Sequence, residues 1–117
     1  MSSRNWQLRI SDILDAIDKI ARYTAEMTLT TFAADEKTVD AVLRNLEVIG
    51  EAARNLPDDF IARQPQIAWP EMRGMRNIII HEYFGVSLPI IWQTVEQDLP
   101  PLVPLLEELL DQNHSTT

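Results

Sequence analysis

The chain has no cysteine among its 117 residues. Disulfide bonds and thiolate metal sites are therefore excluded, and nothing points to an oxidising compartment. No stretch approaches the roughly 18 consecutive apolar residues of a membrane-spanning helix, and residues 1–6 lack the apolar run of a signal peptide. We therefore expect a soluble, cytoplasmic protein that does not associate with a membrane.

Lysine and arginine are missing from the last third of the chain. All ten Lys and Arg residues lie at or before Arg76, together with twelve Asp and Glu, and six acids but no Lys or Arg follow. The net charge is −8, and a net charge of this kind keeps many small proteins in solution. A protein that binds nucleic acid across a broad face normally carries a basic stripe. Any RNA contact must therefore be local, centred on a few arginines, or assembled from two chains.

No segment alternates between apolar and polar residues for long enough to form a sheet, and no internal repeat is evident. Apolar residues instead recur at spacings of three and four, which predicts an all-α fold, an up-and-down bundle of four to five helices. We expect a single domain over residues 1–112 and a flexible polar tail over 113–117. The predicted helices span 5–27, 35–56, a short turn at 57–63, 70–84, a segment capped by Ser87, and a last helix after Pro100 and Pro101; residues 28–34 are expected to form a loop.

The most informative run is Arg76-Asn77-Ile78-Ile79-Ile80-His81-Glu82-Tyr83. A guanidinium binds phosphate bidentately and an imidazole transfers protons near neutral pH, so the run contains the minimum groups for phosphodiester chemistry without a metal. Each residue also has an ordinary structural interpretation. A histidine near a helix C-terminus commonly interacts with the helix dipole, an arginine commonly forms a surface ion pair, and a tyrosine commonly packs. The residues alone leave both interpretations open.

Helical geometry places Arg76 and His81 about 140° apart around the helix axis. Asn77 and His81 are four residues apart and share a face, so the amide can orient the imidazole. Apolar Ile80 and Phe84 lie on the same side, which is typical of a surface that meets another chain. The run therefore predicts half of a site, completed when two copies of this helix come together. The residues expected to contact RNA or the second chain are Arg73, Ile80 and Phe84.

Arg76-Asn77-x3-His81-x-Tyr83 resembles the Arg-x4-His-x-Tyr signature of the HepT toxins, a branch of the HEPN superfamily of small helical ribonucleases. The six-residue Arg-x4-His pattern alone is common, but the flanking sequence is similar as well. The resemblance extends over about residues 9–110, and it is carried by the segments 41–53, 67–77, 81–86 and 92–100.

This resemblance implies the toxin of a two-gene toxin–antitoxin system, a metal-independent endoribonuclease that acts on tRNA or mRNA as a homodimer without a cofactor. Arg76 would bind the scissile phosphate, His81 would be the general acid or base, and Asn77 would orient the site. Tyr83 matches the tyrosine that a minimal nucleotidyltransferase antitoxin modifies with AMP. A bulky anionic group there would block an RNA-binding cleft sterically and by charge repulsion.

Two other interpretations compete with the ribonuclease. The chain could be a non-catalytic helical partner of a minimal nucleotidyltransferase, presenting a substrate, a nucleotide or Tyr83 itself for transfer. It could also be a purely structural dimeric bundle without a ligand. Toxicity on expression without the neighbouring gene separates the first of these from the ribonuclease, and an unchanged phenotype after His81→Ala would favour the second.

Overall fold

The computed structural model describes residues 4–82 and 87–115, with side chains for residues 6–76 and 87–111. These ranges contain seven α-helices and one π-helical turn, and no strand. The helices are α1 Arg4–Tyr23, α2 Leu29–Ala34, α3 Glu36–Arg54, α4 Asp58–Ala62, α5 Trp69–Glu82, α6 Leu88–Gln93 and α7 Leu102–Ser115, and the π-helical turn Thr94–Asp98 directly follows α6.

Four long helices, α1, α3, α5 and α7, build the bundle, which confirms the predicted all-α class. The central helix is α3, because it packs against both α1 and α5, and α7 lies against α1. The apolar stripes predicted from periodicity form the core. Its fully buried members include Ile10, Ile13, Ile49, Met72 and Leu106.

Residues 29–34 form the helix α2, so the loop predicted at 28–34 is wrong. The threonines that suggested a break instead start the helix. The side chains of Thr28 and Thr31 each accept the other's backbone N–H, at 3.2 and 2.9 Å respectively, which is a capping box. Phe32 is fully buried and its ring lies 5.0 Å from that of Trp92. Burial of this single aromatic side chain fixes a helix too short to be stable alone.

The predicted ends of the long helices differ from the observed ones by a few residues. Helix α1 ends at Tyr23 rather than 27, where Thr24 donates its hydroxyl to the Ile20 carbonyl at 2.8 Å and Glu26 takes a left-handed conformation at φ 65°. Helix α3 begins after Asp35, whose carboxylate accepts the Thr38 N–H at 3.1 Å. That hydrogen bond lowers the pKa of Asp35 below its ordinary value.

Prolines end the segment before α7 as predicted. The chain widens into the π-helical turn, in which the Leu99 N–H donates to the Thr94 carbonyl at 3.0 Å, and α7 begins only after Pro100 and Pro101. Pro104 fits within the first turn of α7, where its missing N–H has no intrahelical partner to lose. Helix α7 ends at Ser115, within the segment 113–117 predicted as a tail.

Candidate functional site

Arg76 lies near the middle of α5, at a point where α5 and α3 approach each other closely. The facing residue on α3 is Gly50. A Cβ atom at Gly50 would lie 2.8 Å from the backbone nitrogen of Arg76 and 2.9 Å from its Cβ, closer than such atoms come in real structures. Only glycine permits this approach without a shift of the helices. Gly50 therefore fixes the position of the Arg76 backbone and Cβ relative to α3.

The guanidinium of Arg76 contacts a carboxylate on α3. Its Nε lies 3.3 Å from Oε2 of Glu51, and the two side chains are 38% and 54% exposed. An ion pair this open to water contributes little to stability, on the order of 0–1 kcal/mol. Arg76 thus has one carboxylate beside it, and its partly exposed side chain can bind another anion.

The Arg76–Glu51 pair belongs to a groove between α1, α3 and α5, with a volume of about 370 Å³. We call it the arginine groove, defined by three arginines and three carboxylates: Arg9, Arg44, Arg76, Asp12, Glu47 and Glu51. Two further ion pairs lie in it, Arg9 with Asp12 and Arg44 with Glu47, both at 4.0 Å. The formal charges of the six side chains cancel. The groove nevertheless gathers three of the ten basic residues of an acidic chain around one opening.

Arg73, a predicted RNA or dimer contact, binds the end of α3 instead of pointing away from the bundle. It donates from Nε to the Ala53 carbonyl at 3.1 Å and from Nη2 to the Leu56 carbonyl at 3.2 Å, and it lies 3.5 Å from the exposed carboxylate of Asp58. Carbonyls at a helix C-terminus carry partial negative charge, and that of Ala53 also accepts the Leu56 N–H at 3.3 Å. These contacts account for Arg73 within the chain, and its contact with RNA or a second chain stays a prediction.

Replacing Arg73 with alanine is expected to lower the free energy of unfolding by about 1–3 kcal/mol, because two carbonyls lose charged donors. Arg63→Ala is the matched control. Arg63, directly after α4, makes an exposed pair with Asp59 of that helix at 3.5 Å, so its loss should cost less than about 0.5 kcal/mol. Urea denaturation of both variants measures the difference, and equal losses would contradict a structural role for Arg73.

The sequence over residues 13–109 matches the Ribonuclease HepT-like family. This range includes Arg76, Gly50 and the run through Tyr83. The chain belongs to the HepT-like ribonuclease family. The family and the enzyme class predicted from the signature, a ribonuclease, are thereby confirmed.

Several relatives of this HepT-like chain are similar to it along nearly their whole length. A probable ribonuclease HepT of Thermococcus cleftensis is 45% identical over 100 residues, which cover 86% of this chain and 91% of the relative. A putative RNase of Methanocaldococcus jannaschii is 41% identical, over 94% of this chain and 91% of the relative. Another, of Caldanaerobacter subterraneus, is 35% identical, over 88% and 92%. No solved structure matches the chain.

The rest of the HepT signature is only partly covered by the described structure. Asn77, Ile80 and His81 lie in the helical backbone of α5, as predicted, but their side chains fall outside the described residues. Tyr83 and Phe84 fall outside the described residues altogether. Five positions after Arg76, His81 is about 7.5 Å further along the helix axis. The roles of these residues stay predictions.

Two other predictions concern metals and membranes. Among the described side chains, no three His, Asp or Glu residues lie close enough together to hold a metal ion, and metal independence stays a prediction. No helix in the described part of this HepT-like chain has the length and apolar character needed to cross a membrane.

Sequence reasoning missed the other charged residues around Arg76. Arg44, Glu47 and Glu51 are spaced by three and four residues, so a helical projection of α3 places them on one face. That pattern was available in the sequence. What the sequence could not indicate is that this face turns toward Arg76, or that Arg9 of α1 lies on the other side of the same groove, because both facts depend on how three helices pack.

Proposed function

We propose that this chain is the toxin of a two-gene toxin–antitoxin system, a metal-independent endoribonuclease that cleaves tRNA or mRNA in the cytoplasm. The observation that carries the proposal is Arg76, the first residue of the signature, which is partly exposed in a groove and paired with Glu51. The family membership supports it, as do relatives named as probable or putative ribonucleases.

The proposed reaction is an attack of an RNA 2′-hydroxyl on the adjacent phosphorus. The 2′-oxygen loses its proton and forms a bond to phosphorus, the bond from phosphorus to the 5′-oxygen breaks, and the 5′-oxygen takes up a proton. The products are a 2′,3′-cyclic phosphate and a 5′-hydroxyl. Arg76 binds the non-bridging phosphate oxygens and stabilises the negative charge that grows on them, and His81 transfers a proton at the 2′- or the 5′-oxygen. Asn77 orients His81.

The proposal includes a homodimer, because the helical positions of Arg76 and His81 diverge by about 140° and two copies of α5 would bring an arginine and a histidine to one phosphate. It also includes a minimal nucleotidyltransferase as antitoxin, which transfers AMP to Tyr83. The added phosphate brings negative charge next to an RNA-binding cleft, and repulsion of the RNA backbone then switches the toxin off.

The purified wild-type protein should cleave total tRNA or mRNA in the presence of EDTA, and the fragments should carry 2′,3′-cyclic phosphate and 5′-hydroxyl ends. Induced expression without the neighbouring gene should arrest growth, and co-expression of a neighbouring nucleotidyltransferase should restore it with a mass increase of one AMP on Tyr83. Intact RNA together with normal growth would instead favour the non-catalytic partner subunit.

A further inference from the structure

We propose that the arginine groove binds the RNA backbone beside the cleavage point, with Arg9 and Arg44 contacting phosphates that neighbour the one at Arg76. The inference rests on the proposed function, because the phosphate at Arg76 is its starting point. It assigns two RNA-binding residues that lie outside the signature, on α1 and α3.

The groove presents three guanidiniums to one opening. Its opening is shared by three helices, and its three guanidiniums come from three separate elements rather than from one helix face. Its wall is partly apolar, formed by Val48 and Ala52 of α3. A phosphate bound at Arg76 therefore lies in a groove whose other two cations are also accessible. Neighbouring phosphates of the same strand can then contact Arg9 and Arg44.

The ion pairs now present in the groove are weak enough to be exchanged. Arg9–Asp12 and Arg44–Glu47 are pairs within one helix at 4.0 Å, and all four side chains are at least 43% exposed. Pairs of this kind contribute about 0.3–0.5 kcal/mol each. A guanidinium has five donors, so it can bind a phosphate bidentately while it stays near its carboxylate. Moving from carboxylate to phosphate therefore costs little, and each contact releases counterions from the RNA.

The test measures RNA binding separately from cleavage. A short 2′-O-methyl RNA keeps the phosphates but blocks attack by the 2′-oxygen, so its dissociation constant can be measured with the wild-type protein at several salt concentrations. Arg9→Gln and Arg44→Gln should each weaken binding and reduce the slope of log K against log salt by about 0.7. The double variant should reduce it by about twice as much, with cleavage of unmodified RNA lowered mainly through KM.

Removing a carboxylate from the groove should have the opposite effect on RNA binding. Glu47→Gln removes the carboxylate that competes for Arg44 and should tighten binding of the same RNA. The matched controls are Arg22→Gln and Asp18→Asn, an exposed i,i+4 pair at 3.0 Å on α1. Arg22 is about 20 Å along the axis from Arg9 and does not line the groove. Both controls should leave the affinity and the salt slope unchanged.

The outcomes separate the groove from the proposed function. Suppose that the wild-type protein cleaves RNA and that Arg9→Gln and Arg44→Gln both keep the wild-type salt slope. The proposal that the groove binds RNA is then wrong, and the proposed ribonuclease activity is unaffected. A wild-type protein that cleaves RNA but does not bind the 2′-O-methyl RNA also overturns the proposal that the groove binds RNA, because phosphate contacts need no 2′-hydroxyl. Failure of wild-type cleavage counts against the proposed function, while the slopes still decide whether Arg9 and Arg44 bind RNA.

Discussion

Replacing His81 with alanine is expected to slow RNA cleavage by about 10²–10⁴-fold, because the transition state loses its proton-transfer group. Arg76→Ala should lower the rate by about 10²–10³-fold, since the charge that develops on the phosphate loses its donor. Both effects should appear in the rate constant of the cleavage step at saturating protein concentration. The measurement is single-turnover cleavage of an RNA that the wild-type protein cuts, in EDTA.

The chain contains its own control for the histidine. His114 is the second of two histidines and lies far along the sequence from the signature, so His114→Ala should cleave at the wild-type rate. Free imidazole should restore part of the activity of His81→Ala if the missing group is a proton carrier. Equal cleavage by His81→Ala and His114→Ala would remove His81 from the mechanism. Thermal denaturation of each variant shows whether a loss of activity reflects a loss of folding.

Gly50→Ala is expected to destabilise the bundle by about 1–3 kcal/mol, because its new Cβ overlaps the backbone of α5 at Arg76 rather than a movable side-chain end. Gly74→Ala is the matched control. A Cβ at Gly74 meets nothing within 4 Å, so alanine should be neutral or stabilise α5 by up to about 1 kcal/mol through its helix propensity. The two variants should therefore differ by about 1–4 kcal/mol in the free energy of unfolding.

Urea denaturation of Gly50→Ala and Gly74→Ala gives that difference directly. The same pair tests whether the site depends on the helix contact. If Gly50 sets the position of Arg76, any folded Gly50→Ala protein should also cleave RNA more slowly under conditions where it is fully native. A Gly50→Ala protein as stable as Gly74→Ala would show that α3 and α5 do not approach as closely as described.

Periodicity was sufficient to predict the bundle, because burial of an apolar stripe is what stabilises each long helix. Ile10 and Ile13 follow the predicted spacing and are fully buried, as is Ile49. The prediction of a loop was wrong at α2, where a capping box and one buried aromatic side chain outweigh a threonine-rich composition. Local chemistry of this kind is visible in the sequence, but its outcome depends on whether Phe32 finds a place in the core.

The signature residues of the site could be predicted from the sequence, but the groove around Arg76 could not. Arg76 could be singled out from its neighbours, and the resemblance assigned it a role. Arg76 contacts Glu51, Arg73 binds the Ala53 and Leu56 carbonyls, and Arg9 and Arg44 line one groove. Each of these arrangements brings together residues more than fifteen positions apart in the chain. Such contacts depend on the relative placement of helices, which periodicity within one helix does not encode.

Each groove arginine is paired with its own carboxylate, so binding by the groove should require several phosphates at once. A lone phosphate or a free nucleotide can engage one guanidinium and remains close to an uncompensated acid, so it gains little. An RNA strand presents linked phosphates, and after the first contact the next ones form at high effective concentration. Under the proposed function, the acidic surface and the three matched pairs would keep the groove empty among abundant small anions and open to a polymer.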